Sequence, residues 1–189
     1  MKNFKTIAIA LLVAFGTVSV SAQTKKIDVA KSKLTWVGKK VTGQHDGTVA
    51  LQNGTLIFKD AKLTGGMLTV NMKSIAVLDL KSGEGKEKLE GHLKGDDFFA
   101  VEKFPTATIM FRKVTMKSEG MYSITADLTI KGITKSLLLD MAVNGSSATS
   151  TFKVDRTKYD IKYGSGSFFD NLGDKAISDD FEISATIMM

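Results

Sequence analysis

The chain holds two histidines, His45 and His92, and no cysteine, so acid–base and metal chemistry have few places to sit. His92 precedes Asp96 and Asp97 closely enough for the three to approach one cation. No second histidine stands at ligand spacing from it, and a closed site needs about four such donors, so we expect no metal. Asp96 and Asp97 also fail as a glycosidase pair, because the two acids of that reaction flank one bond from opposite sides. His92 reads as a group that hydrogen-bonds its own segment in place or meets a ligand's polar head group. Asp155 and Arg156 read as an ion pair at a strand end, with a second role for Arg156 in orienting an anionic group.

The glycine-serine stretch GSGSFFDN, residues 164–171, has neither the spacing of a nucleophile elbow nor the Gly-Lys-Ser/Thr of a phosphate loop, and reads as a flexible turn. An enzyme built on this chain would draw its acid or base from His92, Tyr122, Asp127 or Tyr163. The absence of cysteine removes thiol catalysis, thiolate metal sites and covalent haem attachment.

Period-two alternation supplies the elements that hold these groups. Tyr122, Ile124, Ala126, Leu128 and Ile130 alternate with Ser123, Thr125, Asp127, Thr129 and Lys131, the pattern of a strand with one buried face. Phe181, Ile183, Ala185 and Ile187 repeat it, as do Leu137, Leu139, Met141 and Val143, with Leu138 interrupting the polar side of that row. Asn53-Gly54 predicts a tight hairpin, and Gly65-Gly66, Gly132 and Asn144-Gly145 predict further reversals. One segment breaks the rhythm: Glu84 to Leu93 suits a short helix that Gly95 would stop. Pro105, the only proline, then restarts an extended strand at ATIMF. The whole predicts an all-β antiparallel meander with one short helical insertion.

Lys2 and Lys5 precede the apolar run Ile7 to Phe15, and Val20-Ser21-Ala22 closes the segment with a small residue. Residues 1–22 therefore read as a secretory signal peptide, the run being too short for a span of about 20 apolar residues. Residues 23–189 then form a single domain, and removing two lysines from a formal charge of +6 leaves +4. Its lysines are scattered among acids, so no nucleic-acid partner is expected, while transient contact with an anionic membrane surface is compatible with the charge.

The run HLKGDDFFAVEKFPTATIMF, residues 92–111, resembles the YceI-like family of lipocalin-like, polyisoprenoid-binding proteins. DLTIKGITKSLLLDM (127–141), DRTKYDI (155–161) and the opening KSKLTWVGKKVTGQHDGTVALQNGTLIF (31–58) carry the same resemblance along nearly the whole domain. It implies an eight-stranded antiparallel lipocalin-like β-barrel, an architecture whose interior is either filled by side chains or able to hold one slender ligand. The implied function is non-enzymatic: transport, storage or sequestration of an isoprenoid-like lipid, such as a polyprenol derivative or a quinone tail, in the periplasm or outside the cell. No cofactor is expected beyond that ligand.

For the ligand-facing wall the sequence offers Trp36, Phe58, Met72, Phe111, Leu128, Ile130, Leu139, Met141, Phe152 and Phe181 in predicted strands. The pairs Phe98-Phe99 and Phe168-Phe169 follow breaks in the strand pattern and are expected at the cavity rim, with His92 and Arg156 as head-group candidates. Met67, Met72, Met110, Met116, Met121 and Met141 fall in or beside strands, and thioethers adapt to irregular apolar ligands.

Overall fold

The computed structural model describes residues 22–189, and all but the last residue of the segment read as an export signal lies outside the described residues. The strands are β1 (Gln23–Lys26), β2 (Lys33–Lys40), β3 (Gly43–Lys59), β4 (Lys62–Val77), β5 (Thr106–Ser118), β6 (Met121–Ile130), β7 (Ile133–Asn144), β8 (Ser147–Asp155) and β9 (Ile177–Met188). One helix, α1 (Lys86–Lys94), lies between β4 and β5. The ladder runs β3-β2-β9-β8-β7-β6-β5-β4, and β4 pairs back onto β3. All pairings are antiparallel. β1 and β2 share one edge of the long β3, Gln23–Lys26 against Thr55–Phe58 and Leu34–Lys40 against Gly43–Val49. They occupy a single place in the wall, so the nine described strands close an eight-membered barrel, in which β7 and β8 pair only at their turn ends, Ala142–Asn144 against Ser147–Thr149.

The alternation read from the sequence sets which side chains point inward. Tyr122, Ile124, Ala126, Leu128 and Ile130 of β6 are buried, and Leu139 and Met141 of β7 face the same interior. Leu138 is 70% exposed on the outer surface, as its place off the apolar row requires.

Two predicted reversals are absent. Asn53-Gly54 and Gly65-Gly66 lie inside β3 and β4, which run straight through them. A Cβ on Gly54 would sit 2.6 Å from Ile27 Cδ1 and 2.7 Å from Leu68 Cδ2, and one on Gly66 would sit 2.7 Å from Leu56 Cδ2. These glycines permit close packing across the wall rather than a turn. The chain reverses instead at Asp60-Ala61, both residues at positive φ (50° and 61°) without a glycine. Gly132 and Gly145 do turn the chain, at φ 73° and 59°.

At one end the strands are joined by tight turns. At the other, two long connections, residues 78–105 and 156–176, fold over the barrel. The helix begins and stops close to expectation: the Gly95 N–H donates to the His92 carbonyl at 3.1 Å and ends it. Leu93 is its buried residue, and Glu90 accepts the Val77 N–H at 2.9 Å, fixing α1 to the end of β4. His45, from the start of β3, pairs with Asp79 at 2.7 Å, which also accepts the Asp46 N–H at 3.1 Å and anchors the start of the same connection. After the helix, the Pro105 carbonyl accepts the Met72 N–H at 2.9 Å, and β5 starts at the next residue.

Candidate functional site

The barrel is hollow. A cavity of about 160 Å³ runs down the interior toward the end covered by the long connections. Trp36 of β2, Met72 of β4 and Phe111 of β5 contribute to its wall. Leu128 and Ile130 of β6, Leu139 and Met141 of β7, Phe152 of β8 and Phe181 of β9 complete the circuit, and Phe98 and Phe99 enter from the loop after α1. The strands β2 to β9 supply mainly alternate residues, so the same period-two pattern that buries the core shapes the cavity. The Trp36 indole, whose Nε1 donates to the Thr48 carbonyl at 3.3 Å, has its seat because Gly47 opposite has no side chain: a Cβ there would lie 2.5 Å from the ring.

Polarity is nearly absent from the lining. Ser150 is buried but spends its hydroxyl on the Asp140 carbonyl at 2.6 Å. A water inside needs two to four polar partners, and apolar cavities of roughly 150 Å³ stay dry and accept small hydrocarbons instead.

Two lining residues, Ser178 and Asp180, are also solvent-exposed, and from this we assign the mouth to their side of the barrel. They lie where the β2–β9 ladder slips: Gly38 faces Phe181 and Lys40 faces Ile177, leaving Ser178, Asp179 and Asp180 opposite the single residue Lys39. This bulge interrupts the ladder between the two strands. Gly38 lines the opening, and a Cβ built on it would meet nothing within 4 Å. Phe99 and Phe181 stand edge to face beside it, with ring centroids 6.2 Å apart.

Arg156 lines the cavity beside this bulge. It is 2% exposed, and its guanidinium donates to four backbone carbonyls: Ser178 at 2.9 Å, Ile161 at 2.8 Å, Tyr163 at 2.9 Å and Ile177 at 3.0 Å. Bulging frees carbonyls of β9 from the ladder, and the arginine satisfies them. The expected ion pair with Asp155 is not formed. Asp155 caps the turn at Arg156–Tyr159 by accepting the Thr157 N–H at 3.0 Å, and its cation is Lys158 at 3.6 Å. The carboxylate nearest Arg156 is Asp179, at 3.6 Å. Burial pushes the Asp179 carboxyl up, but hydrogen bonds from Ser165 and Ser167 and the Arg156 charge outweigh it and hold the group below the ordinary carboxylate range. Arg156 borders the cavity, yet four of its five N–H donors are already engaged within the protein.

The remaining sequence candidates lie elsewhere. Phe58 is buried in the core outside the cavity, with Lys25 Nζ 5.0 Å from its ring centroid. Phe168 and Phe169 do not line the cavity and are each half exposed. His92 sits behind Phe98, its ring packed edge-on against Phe98 and Tyr163 at 5.5 and 4.4 Å, with Asp97 at 3.5 Å from Nδ1. Of the methionines, Met72 and Met141 line the cavity, whereas Met67, Met110, Met116 and Met121 are exposed on the outer surface. None of the four acid–base candidates lines the cavity. The Tyr122 hydroxyl accepts the Leu63 N–H at 3.2 Å in the core, and Asp127 pairs with Arg112 at 2.6 Å on the outer wall. Sequence reading missed Gly38 and the Ser178–Asp180 bulge; the one available signal was an out-of-phase stretch, SDD, before the clean alternation from Phe181.

Comparison with known proteins agrees with this architecture. The profile of the YceI-like domain matches residues 26–189. Among solved structures, BcnA of Burkholderia cenocepacia is similar in fold, with a TM-score of 0.67 at 22% identity over 86% of this chain and 99% of that one. A polyisoprenoid binding domain from Saccharophagus degradans, implicated in plant cell wall breakdown, gives a TM-score of 0.57 at 13% identity over 89% and 97%. A UPF0312 protein of Photorhabdus laumondii is 34% identical over 100 residues, which are 52% of this chain and 48% of that protein. The chain spans about half the length of the curated relatives it matches. A profile match over residues 26–189, on a closed barrel with one helix, places this chain in the YceI-like domain family.

Proposed function

We propose that this protein is an exported, non-catalytic carrier that takes the apolar tail of an isoprenoid-like amphiphile, a polyprenol derivative or a quinone, into its barrel for transport, storage or sequestration in the periplasm or outside the cell. The observation that carries the reading is the cavity: enclosed by apolar side chains on all strands but β1, and open at the β2–β9 bulge. The polyisoprenoid binding domain of Saccharophagus degradans shares the fold and supports the choice of ligand class.

Binding is a partition step. Each methylene leaving water contributes roughly 0.8 kcal/mol, offset by the cost of ordering the tail and the wall. A dry cavity near 150 Å³ accommodates a body about the size of benzene, on the order of one isoprene unit. Longer tails require the wall to yield, and Met72 and Met141, unbranched and with three rotatable bonds each, are the side chains best able to do so. The only ionisable side chains on the lining are Arg156 and Asp180, which supports a role in holding rather than transforming the ligand.

The direct test is mass spectrometry of organic extracts from protein purified without detergent, repeated after incubation with added polyprenols. A stoichiometric isoprenoid or quinone is expected, and Leu139→Lys or Met141→Lys abolishes it. A blank in both preparations, or lipid retained by a folded lysine variant, overturns the reading.

A further inference from the structure

Phe168 and Phe169 are adjacent, each 50% exposed, and outside the cavity. Their exposure is built into the loop. The buried Ser165 accepts the N–H groups of both phenylalanines on its carbonyl, at 3.1 and 3.0 Å, and its hydroxyl accepts the Ser167 N–H at 3.2 Å. Ser167 in turn donates to Asp179, so the turn that presents the rings is tied to the bulge at the mouth. The loop is joined to the mouth at two further points: Ile177, a lining residue, donates to the Gly164 carbonyl at 2.8 Å, and Val41 donates to the Ala176 carbonyl at 3.2 Å. Val41, 66% exposed, and Tyr163, 49% exposed, are further exposed hydrophobic residues in or bonded to this loop.

We propose that residues 162–176 form a bilayer-docking surface, in which Phe168 and Phe169 enter the lipid interface and set the cavity mouth against the membrane. This rests on the carrier reading, since a tail drawn from a bilayer reaches the barrel without crossing water only if the mouth abuts the lipid. Continuity with the mouth selects a bilayer as the occupant. Aromatic side chains favour the membrane interface. Lys162 has its Nζ 5.2 Å from the Phe168 ring centroid, and Lys175, Asp170 and Asp174 lie in the same loop, so its charges balance. The surface therefore docks through its rings, with little dependence on salt.

The test is co-sedimentation of the protein with vesicles of phosphatidylethanolamine and phosphatidylglycerol, and with vesicles of phosphatidylcholine. A separate measurement follows uptake of a water-soluble short-chain isoprenoid analogue without vesicles. Phe168→Ser/Phe169→Ser is expected to weaken vesicle binding about ten-fold on both compositions while leaving analogue uptake unchanged, which also shows that the variant folds. Leu138→Ser, on the outer wall, leaves both unchanged. As a gain-of-signal check, Phe168→Trp adds a fluorophore whose emission shifts to the blue when vesicles are added, relative to the wild type. Wild-type protein that ignores vesicles, or a double variant that binds them equally, overturns the proposal. So does a wild-type dimer in sedimentation that the double variant loses, since the rings would then bind a second copy. Failure of analogue uptake alongside ring-dependent vesicle binding removes the carrier reading and leaves the docking surface standing.

Discussion

Gly38 of β2 faces Phe181 of β9 as the last regular pair before the ladder slips, and both residues border the cavity mouth. One side of the opening carries a ring and the other carries no side chain at all, so the bore is set by what Gly38 lacks. Its φ does not lie in the left-handed region, and a Cβ there meets nothing within 4 Å, so a larger residue fits without backbone strain.

Gly38→Leu is therefore expected to fold normally and to obstruct the mouth. Uptake of an isoprenoid analogue should slow by at least about ten-fold, roughly the effect of a 1.4 kcal/mol barrier, with little change in melting temperature. Stopped-flow fluorescence checks this; unchanged uptake places the mouth elsewhere.

Arg156→Ala should be among the most damaging single substitutions in the protein. It orphans four buried or half-buried carbonyls and leaves Asp179 without its cation, a loss on the order of 3–5 kcal/mol. Arg156→Lys rescues little, because an ammonium offers three donors from one point and cannot span the carbonyls that the planar fork reaches. Urea denaturation measures both, and a variant within 1 kcal/mol of wild type by the usual error of such measurements contradicts the clamp.

Acid should loosen the mouth end of the barrel. The folded pKa of Asp179 is depressed, so its contribution is complete above the unfolded carboxylate value and is lost as pH falls through the folded one. Thermal melts from neutral pH down to below about pH 4 should show a steeper loss for wild type than for Asp179→Asn. Parallel curves would mean that Asp179 is not coupled to folding.

Tail length should be read by the methionines. Met141→Ile nearly conserves apolar bulk but stiffens the side chain at the β-carbon. Short isoprenoids are expected to bind as before and long ones several-fold more weakly, a difference that titration calorimetry across a series of chain lengths resolves. Equal loss at all lengths would point to a changed shape rather than to lost adaptability.

Much of the fold was legible because inward and outward residues alternate, and alternation survives in the sequence: β6 was readable residue by residue, and so were the helix stop at Gly95 and the strand restart after Pro105. The turns were less so. Asn53-Gly54 carries a hairpin's residues in the middle of a strand, where the same lack of a side chain serves packing against Ile27 and Leu68 instead. The real turn, Asp60-Ala61, has no glycine to announce it. Within the site, Phe152 and Phe58 look alike in sequence, since both sit in strands, and only the closure of the barrel separates a cavity wall from ordinary core. Phe98-Phe99 and Phe168-Phe169 are likewise the same dipeptide after a break; one folds in under α1 and the other is held outward by Ser165. The ion pair expected between Asp155 and Arg156 did not form because the arginine's partners are carbonyls, which every residue has and no pattern marks.

The pairing of β2 with β9 also governs when the cavity comes into existence. Thr35 meets Ser184 across a separation of 149 residues, so one of the first strands waits for the last before the wall can close. Contacts this distant in sequence are costly to form early and slow the search for the native topology. A chain emerging from a ribosome has no closed interior until its final strand is released. The cavity is thus a property of the finished chain, and no partly made one can hold a ligand in it.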